Sequence, residues 1–401
     1  MSQTASRPLD FTAFDADNHY YEAEDAFTRH LDRRMGRRAM QWAVVDGRRT
    51  LLVGGKVNRF IPNPTFDPVA KPGCLDEYFR GRNPEGKSIR EIFGELEPIR
   101  PAYRDRDARL ALMDAQGLGA CFLFPTLGVG MEESLRDDPA AGVAAFRAFN
   151  RWLDEDWGFA YRDRLFAAPY ITLVDVDAAV QELEWALARD ARVVVMRAAP
   201  VTTPGASHSP ADPRFDPFWA RVDEAGITVA YHSGDSGYLR YLEPWGLGGT
   251  FQAFDFHPLR LCMSAQPVHD LLAALLCGGL FDRHRNLRVA TIETGSSWVP
   301  GLLAKLAKAY GQMPFAFGRD PVDAFKRHVW VSPYYEDPLP ELRDEIGAEH
   351  MLFGSDFPHG EGLADPTSFV HDLAGFSPAE IRQVMRDNGL GLTRPQPARG
   401  R

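Results

Sequence analysis

The chain has 401 residues, of which 45% are apolar, and carries a formal net charge of −10 with a pI near 5.6. That length exceeds the roughly 250 residues of a minimal barrel, so it admits one large domain with insertions or two domains. The acidic balance excludes the basic face of a nucleic-acid binder, and the apolar runs are too short to span a bilayer. The opening MSQTASRPLDF has no apolar signal core, and Cys74, Cys121, Cys262 and Cys277 form no CxxC pair, so a reduced, cytoplasmic setting is expected. Cys121 and Cys277 sit in apolar runs and are expected to be buried.

Residues 11–17 read as a short buried strand ending on acidic side chains, and 24–35 as a helix. Trp42 to Val45 and Thr50 to Val53 flank Asp46-Gly47, a dipeptide that supplies the positive φ of a hairpin turn. The stretch 60–73 holds Pro62, Pro64, Pro68 and Pro72 and can be neither helix nor central strand. Its Phe60, Ile61, Phe66 and Val69 predict an ordered, lid-like loop. From Asp105 onward, short apolar runs alternate with helical patterns. Counting the first, eight strands are predicted, near 11–17, 119–125, 165–172, 192–197, 227–232, 287–293, 328–332 and 350–356. Runs that are apolar throughout imply burial on both faces, as in a parallel sheet. Eight strand–helix alternations point to an α/β fold, a (β/α)8 TIM barrel with a hairpin and loop insertion after strand 1. A doubly wound sheet is the alternative, but no glycine-rich phosphate loop follows the first strand. The expected organisation is one barrel domain over 8–395, including the insertion 41–104, with 396–401 as a disordered polar tail.

In such barrels the chemistry sits at the C-terminal ends of the strands. Strand 1 ends in Asp17-x-His19, strand 4 in Arg197, strand 5 in His232, strand 6 in Glu293, and strand 8 in Asp356 with His359 shortly after. Ionisable groups that end apolar strands are costly unless paired or metal-bound. Residues two apart on extended backbone point the same way, so Asp17 and His19 can reach one ion. His232 adds a nitrogen and Asp356 an oxygen. Mixed imidazole and carboxylate ligands suit Zn²⁺, Mn²⁺ or Fe²⁺, with Zn²⁺ placed first. Water on such an ion can have its pKa lowered to about 7, and Asp356 can take and return its proton.

Each position also has a plain structural reading. Asp17 and Asp356 can be turn formers, His19 and His232 satisfied histidines, Glu293 and Arg197 salt-bridge partners, and His359 a loop residue. Joint placement at strands 1, 5 and 8 favours the metal site over these. Glu293 can orient a metal-bound histidine or bind substrate, Arg197 can hold a substrate carboxylate, and His359 can shuttle a proton. Tyr20, Tyr21, Trp298, Tyr334 and Tyr335 flank strand ends and are placed to stack a flat aromatic or conjugated substrate.

These segments also carry a resemblance. FDADNHYYE near the start, AYHSG at strand 5, then GGLFDRHRNLRVATIETGSSWVP and MLFGSDFPHGEG run in order over nearly the whole chain. They resemble the amidohydrolase-related family that includes aminocarboxymuconate-semialdehyde decarboxylase and the resorcylate-type decarboxylases. The resemblance implies a (β/α)8 barrel, usually a homodimer, with one divalent metal, Zn²⁺ or Mn²⁺, on Asp17, His19, His232 and Asp356. The family's first ligand is often His or Glu, where this chain has Asp17. Its decarboxylases carry a histidine at strand 6, where this chain has Glu293. An anionic glutamate there repels a carboxylate substrate unless it is protonated or paired. Hydrolysis of a small aromatic or conjugated substrate, with Asp356 as proton shuttle, therefore leads. Non-oxidative decarboxylation of an aromatic or unsaturated acid is the alternative. A barrel kept only for binding is the third reading, and it predicts no tightly bound metal.

Overall fold

A computed structural model describes residues 9–249, 251–254 and 257–396. The predicted tail lies outside the described residues from 397 onward. Gln396 itself is tied down, its N–H donating to Gly226 O and its carbonyl accepting from Asn286 Nδ2.

The barrel opens with β1 (Ala13–Tyr20). An antiparallel ribbon follows, made of β2 (Met40–Val45), β3 (Arg48–Val53) and β4 (Lys56–Val57). At its first turn Asp46 and Gly47 take φ of 51° and 73°, the left-handed pair whose twist matches a two-residue hairpin. The chain then returns to the barrel with β5 (Leu118–Pro125), β6 (Leu165–Ala167) and β7 (Val193–Arg197). A small ribbon, β8 (Val201–Thr203) with β9 (Ala206–His208), precedes β10 (Thr228–His232), β11 (Arg288–Ile292) and β12 (Val329–Val331).

Parallel pairing gives two arcs, β1-β5-β6 and β12-β11-β10-β7. Two joins close them into a ring. Tyr170, just past β6, bridges Val195 of β7, and the segment 351–357 bridges Val331 of β12 through Met351 and Asn18 of β1 through Phe357. Along the second seam the N–H of Ala16 donates to Phe353 O and that of Asp356 to Asp17 O. The ring is the eight-membered parallel barrel that the strand–helix alternation predicted.

Every residue of β7, β10 and β11 is buried, as parallel strands covered on both faces require. Inside, Phe14 meets Phe122 edge-on at 5.0 Å between ring centroids and stacks on Phe166 at 6.3 Å. Two of the outer helices show how acidic caps start them. Asp105 accepts from Ala108 N at Arg106–Gln116, and Asp175 from Ala178 N at Val176–Leu187; each cap contributes about 1 kcal/mol. Gly117 ends the first of these helices left-handed, at φ 74°, and turns straight into β5.

Three expectations come out differently. The stretch 24–35 is a run of turns ending in a short 3-10 helix, Arg33–Met35, because Phe27 stacks on Phe149 at 4.6 Å and this packing outweighs helix propensity. The predicted strand 165–172 has continuous pairing only over Leu165–Ala167. Pro169 has no N–H to give, and the ladder resumes where Ile171 N donates to Val195 O. Cys277 is exposed at the end of the helix Gln266–Cys277.

The proline-rich stretch 60–73 is ordered against the mouth of the barrel. Phe66 stacks on Tyr21 at 4.9 Å, Phe60 on Phe251 at 5.2 Å, and the N–H of Gly73 donates to His359 O. Among the described residues no helix is long and apolar enough to cross a membrane.

Candidate metal centre

Register places the site. In the ladders Arg197 of β7 lies beside His232 of β10, and His232 beside Ile292 of β11, so Arg197, His232 and Glu293 emerge together at the C-terminal end of the barrel. On β1, Asp15 pairs with Cys121 but Asn18 pairs with Leu123. The extra residue is a bulge, which re-aims the end of a strand. Beyond it Asp17 and His19 turn to the same side, with His19 Nε2 3.2 Å from Asp17 Oδ1.

Asp17, His19, His232 and Glu293 converge in one cluster that could hold an ion, and Asp356 borders it, grouping with His19 and His359. His232 Nε2 is 3.4 Å from Asp17 Oδ1, 3.2 Å from His19 Nε2 and 3.3 Å from Glu293 Oε2. Asp356 comes from the opposite seam, its Oδ1 3.3 Å from His19 Nε2. Ligands about 2.0–2.1 Å from a tetrahedral ion lie about 3.3–3.4 Å apart, and neighbouring ligands of an octahedral ion lie about 3 Å apart. The observed spacings fall in that range. Two further features point to a cation. Asp17 Oδ1 is buried with no hydrogen-bond donor. His232 Nδ1 lies 2.8 Å from Ser233 O, and because a carbonyl only accepts, Nδ1 carries the hydrogen and Nε2 turns a bare lone pair inward. Buried lone pairs facing one another are unfavourable without a positive centre. The residues present fit one divalent ion.

The backbone pays for this aim. Glu293 and Asp356 hold φ at 51° and 56°, a region disfavoured for any residue with a Cβ, and the turn swings each carboxylate off its strand toward the centre. A Cβ added at Gly354 would lie 2.6 Å from Asp17 Cβ and 2.5 Å from Ser332 Oγ. Only glycine therefore lets the segment 351–357 pass this close to β1.

The electrostatics divide the carboxylates. Burial, then Glu361 and Asp17, pushes Asp356 well above the usual carboxylate range, and burial, then Asp356, does the same to Glu293. Burial would also raise Asp17, but His19 and His232 outweigh it and hold that carboxyl below its ordinary value. Burial, then the nearby His359, brings His19 down to about 3.

Of the sequence-predicted positions, Asp17, His19 and His232 lie in one cluster with Glu293, while Asp356 lies beside His19 in a neighbouring group with His359. Glu293, expected to orient a ligand or bind substrate, has an oxygen among the ligand atoms themselves. Arg197 faces the adjoining cavity, but its ion pair is with Glu133 at 2.5 Å, with Glu132 at 3.9 Å, and not with Asp17, Glu293 or Asp356. His359 Nδ1 lies 2.6 Å from Asp356 Oδ1. Of the five aromatics, Tyr334 lines the cavity and donates its hydroxyl to Glu293 O at 2.9 Å. The others are packing residues. Tyr20 stacks on Trp157, Tyr21 on Phe66, Trp298 packs edge-on against Phe325, and Tyr335 donates to Glu361 O. The cavity has about 530 Å³ of empty space open to solvent, and Val129, Met196, Val268 and Tyr334 line it beside His232 and Glu293.

Sequence reasoning missed the supports. Asp15, fully buried and pushed up to about 7 by that burial, accepts from Asn18 Nδ2 at 2.8 Å, Ser355 Oγ at 2.5 Å and Ser355 N at 3.0 Å, and so straps β1 to the strand-8 seam. Arg109, also fully buried, donates to Asn18 Oδ1, to His19 O at 2.8 Å and to Ala102 O at 2.7 Å. Only the FDADN stretch signalled Asp15, and nothing signalled Arg109. Arg109→Leu would orphan three buried acceptors at about 1 kcal/mol or more each. A loss of at least about 3 kcal/mol in urea unfolding is expected, and a loss below about 1 kcal/mol would remove this role.

A parallel barrel with imidazoles and carboxylates gathered at the C-terminal ends of its strands defines a metal-dependent barrel enzyme. The sequence model of the amidohydrolase family matches residues 96–390, and the chain belongs to that family. The match begins after Asp17 and His19. The chain is 46% identical to an amidohydrolase from Mycobacterium avium subsp. paratuberculosis K-10, with a TM-score of 0.91 over 96% of this chain and 100% of that one. It is 27% identical over 303 residues to gamma-resorcylate decarboxylase of Rhodococcus jostii (strain RHA1), covering 72% of this chain and 87% of that one. It shares its fold with a dihydroxybenzoic acid decarboxylase from Polaromonas sp. JS666, solved with bound manganese and the inhibitor 2-nitroresorcinol. That likeness is 18% identical with a TM-score of 0.56, over 84% of this chain and 97% of that one.

Proposed function

We propose that this enzyme is a non-oxidative decarboxylase of a small hydroxylated aromatic acid. The observation that carries the reading is the likeness to gamma-resorcylate decarboxylase over 72% of the chain. It reverses the order expected from sequence, where Glu293 placed hydrolysis first. The objection was that a lone anion repels a carboxylate substrate. Glu293 is not alone, since its carboxylate lies in one cluster with Asp17, His19 and His232, and a carboxylate that helps to hold a cation does not impose that repulsion. Mn²⁺ moves ahead of Zn²⁺, because an oxygen-rich set suits the harder ion and the Polaromonas decarboxylase was solved with manganese.

Asp17, His19, His232 and Asp356, joined by Glu293, would hold the ion. When bound, it would supply a Lewis acid for the carboxylate and neighbouring hydroxyl of the substrate. The chain's own residues do the rest. Val129, Met196, Val268 and Tyr334 pack the ring and exclude water. Asp356 gives a proton to the ring carbon that bears the carboxylate. The bond to the carboxylate then breaks, its electron pair returns to the ring, and CO₂ leaves. His359 Nδ1, 2.6 Å from Asp356 Oδ1, orients that carboxyl and shares its proton. Arg197, bound to Glu133, is a fixed wall of the cavity and not a mobile anion clamp.

Hydrolysis remains the second reading, supported by the 46% identity to a protein described as an amidohydrolase; Asp356 would serve as its proton shuttle too. The two separate on products. Incubation with 2,6-dihydroxybenzoate and related hydroxybenzoic acids is expected to release CO₂ and the matching phenol. Turnover of amides or esters, with no CO₂ from any hydroxybenzoic acid, would establish hydrolysis in its place.

A further inference from the structure

Arg197 lines the cavity next to His232, its neighbour in the β7–β10 ladder. A guanidinium in that place ordinarily holds an anion on the ligand. This one is engaged from behind. Its Nη1 donates to Glu133 Oε2 at 2.5 Å and its Nη2 to Pro200 O at 3.3 Å, and Glu132 Oε2 lies 3.9 Å from its Nε. The Arg197 side chain is 6% exposed and those of Glu132 and Glu133 are each 10% exposed. One buried positive charge therefore faces two buried negative ones.

Both glutamates are held in place. Glu132 accepts from the Tyr170 hydroxyl at 2.9 Å and from the Thr172 hydroxyl at 2.7 Å. Glu133 Oε1, the oxygen turned away from Arg197, accepts from Arg240 and Arg136. Those two guanidinium side chains are 46% and 33% exposed, so water and salt screen their charge far more than that of Arg197. Gly237, at φ 77°, lets the segment that carries Arg240 pass close by, since a Cβ there would lie 3.0 Å from Glu133 Cδ.

We propose that Glu133, backed by Glu132, is a positioning residue that neutralises Arg197 and so restricts the enzyme to acids with a single carboxylate. The inference rests on the proposed reaction only in placing that one carboxylate at the metal centre. A second carboxylate on the Arg197 side would put three anions around one buried cation, and like charges at such range repel strongly away from water. An uncharged oxygen meets no such cost. A guanidinium has five N–H groups, so Arg197 keeps donors for a ring hydroxyl after its charge has been neutralised. Without the Glu133 carboxylate the guanidinium fork becomes available to a ligand carboxylate.

Three acids test this on the manganese-loaded protein: salicylate, and 2-hydroxyterephthalate and 4-hydroxyisophthalate, which add a second carboxylate para and meta to the first. Calorimetry of the wild type is expected to show salicylate bound at least about 10-fold more tightly than either dicarboxylate. Glu133→Gln keeps the shape without the charge. It is expected to raise the affinity for the dicarboxylates relative to salicylate at least about 10-fold, and Glu133→Asp to keep the wild-type ratio. Glu132→Gln should move the ratio the same way, which decides the matter if Glu133→Gln does not fold. A general loss of packing would weaken all three acids together and leave the ratio unmoved. Dicarboxylates bound as tightly as salicylate by the wild type, or an unchanged ratio in the folded Gln variants, would overturn the inference, and CO₂ release from a hydroxybenzoic acid would leave the functional reading standing. The expected ratios with no CO₂ from any hydroxybenzoic acid would overturn that reading and uphold the inference. Binding of none of the three acids would overturn both.

Discussion

Replacing His232 with alanine is expected to strip the divalent ion from the purified protein and abolish turnover. The ring contributes more than one ligand atom. Its Nε2 is the shared neighbour of Asp17 Oδ1, His19 Nε2 and Glu293 Oε2, at 3.2 to 3.4 Å from each. Without it the carboxylates of Asp17 and Glu293 face one another with one fewer nitrogen to complete the coordination. Loss of a residue that merely orients a ligand costs about 10- to 100-fold in metal affinity, so loss of a ligand should exceed about 100-fold. Metal analysis after gel filtration checks this. Ion content equal to wild type in a folded His232→Ala protein would remove His232 from the ligand set.

Asp356→Asn is expected to cost about 10²- to 10⁴-fold in kcat, the usual share of a positioned acid. Asparagine has the same shape and keeps an oxygen toward His19, but it has no transferable proton. The fold should not suffer. Asp356 is held well above the usual carboxylate range by burial and by its carboxylate neighbours, so removing the ionisable group removes a repulsion. Unfolding midpoints no lower than wild type are therefore expected beside the kinetic defect. Wild-type turnover in this variant would show that the proton comes from elsewhere.

The barrel was legible because its strands are buried on both faces, which leaves unbroken apolar runs such as Val193–Arg197 and Thr228–His232 for the ionisable ends to interrupt. The same interruptions single out Asp17, His19, His232 and Asp356, of which the first three lie in one cluster with Glu293. What escaped depends on backbone geometry or on partners distant in sequence. The bulge in β1 and the left-handed φ of Glu293 and Asp356 have no sequence signal in residues that ordinarily avoid that region. Arg197 reads from sequence as either an anion holder or an ion-pair partner of Asp17, Glu293 or Asp356, because its actual partner Glu133 lies 64 residues away. Glu293 was weighed as a lone charge because its closeness to His232 appears only once β10 and β11 pair. Arg109 acts through hydrogen bonds to carbonyl oxygens, which residue identity does not announce.

CO₂ release from 2,6-dihydroxybenzoate should be followed by enzyme stripped with a chelator and then titrated with Mn²⁺. Turnover is expected to vanish on stripping and to return in proportion to added ion, saturating at one Mn²⁺ per chain. Decarboxylation that survives complete metal removal, or a chain that takes up no ion at a saturable site, would contradict a metal centre built from Asp17, His19, His232, Glu293 and Asp356.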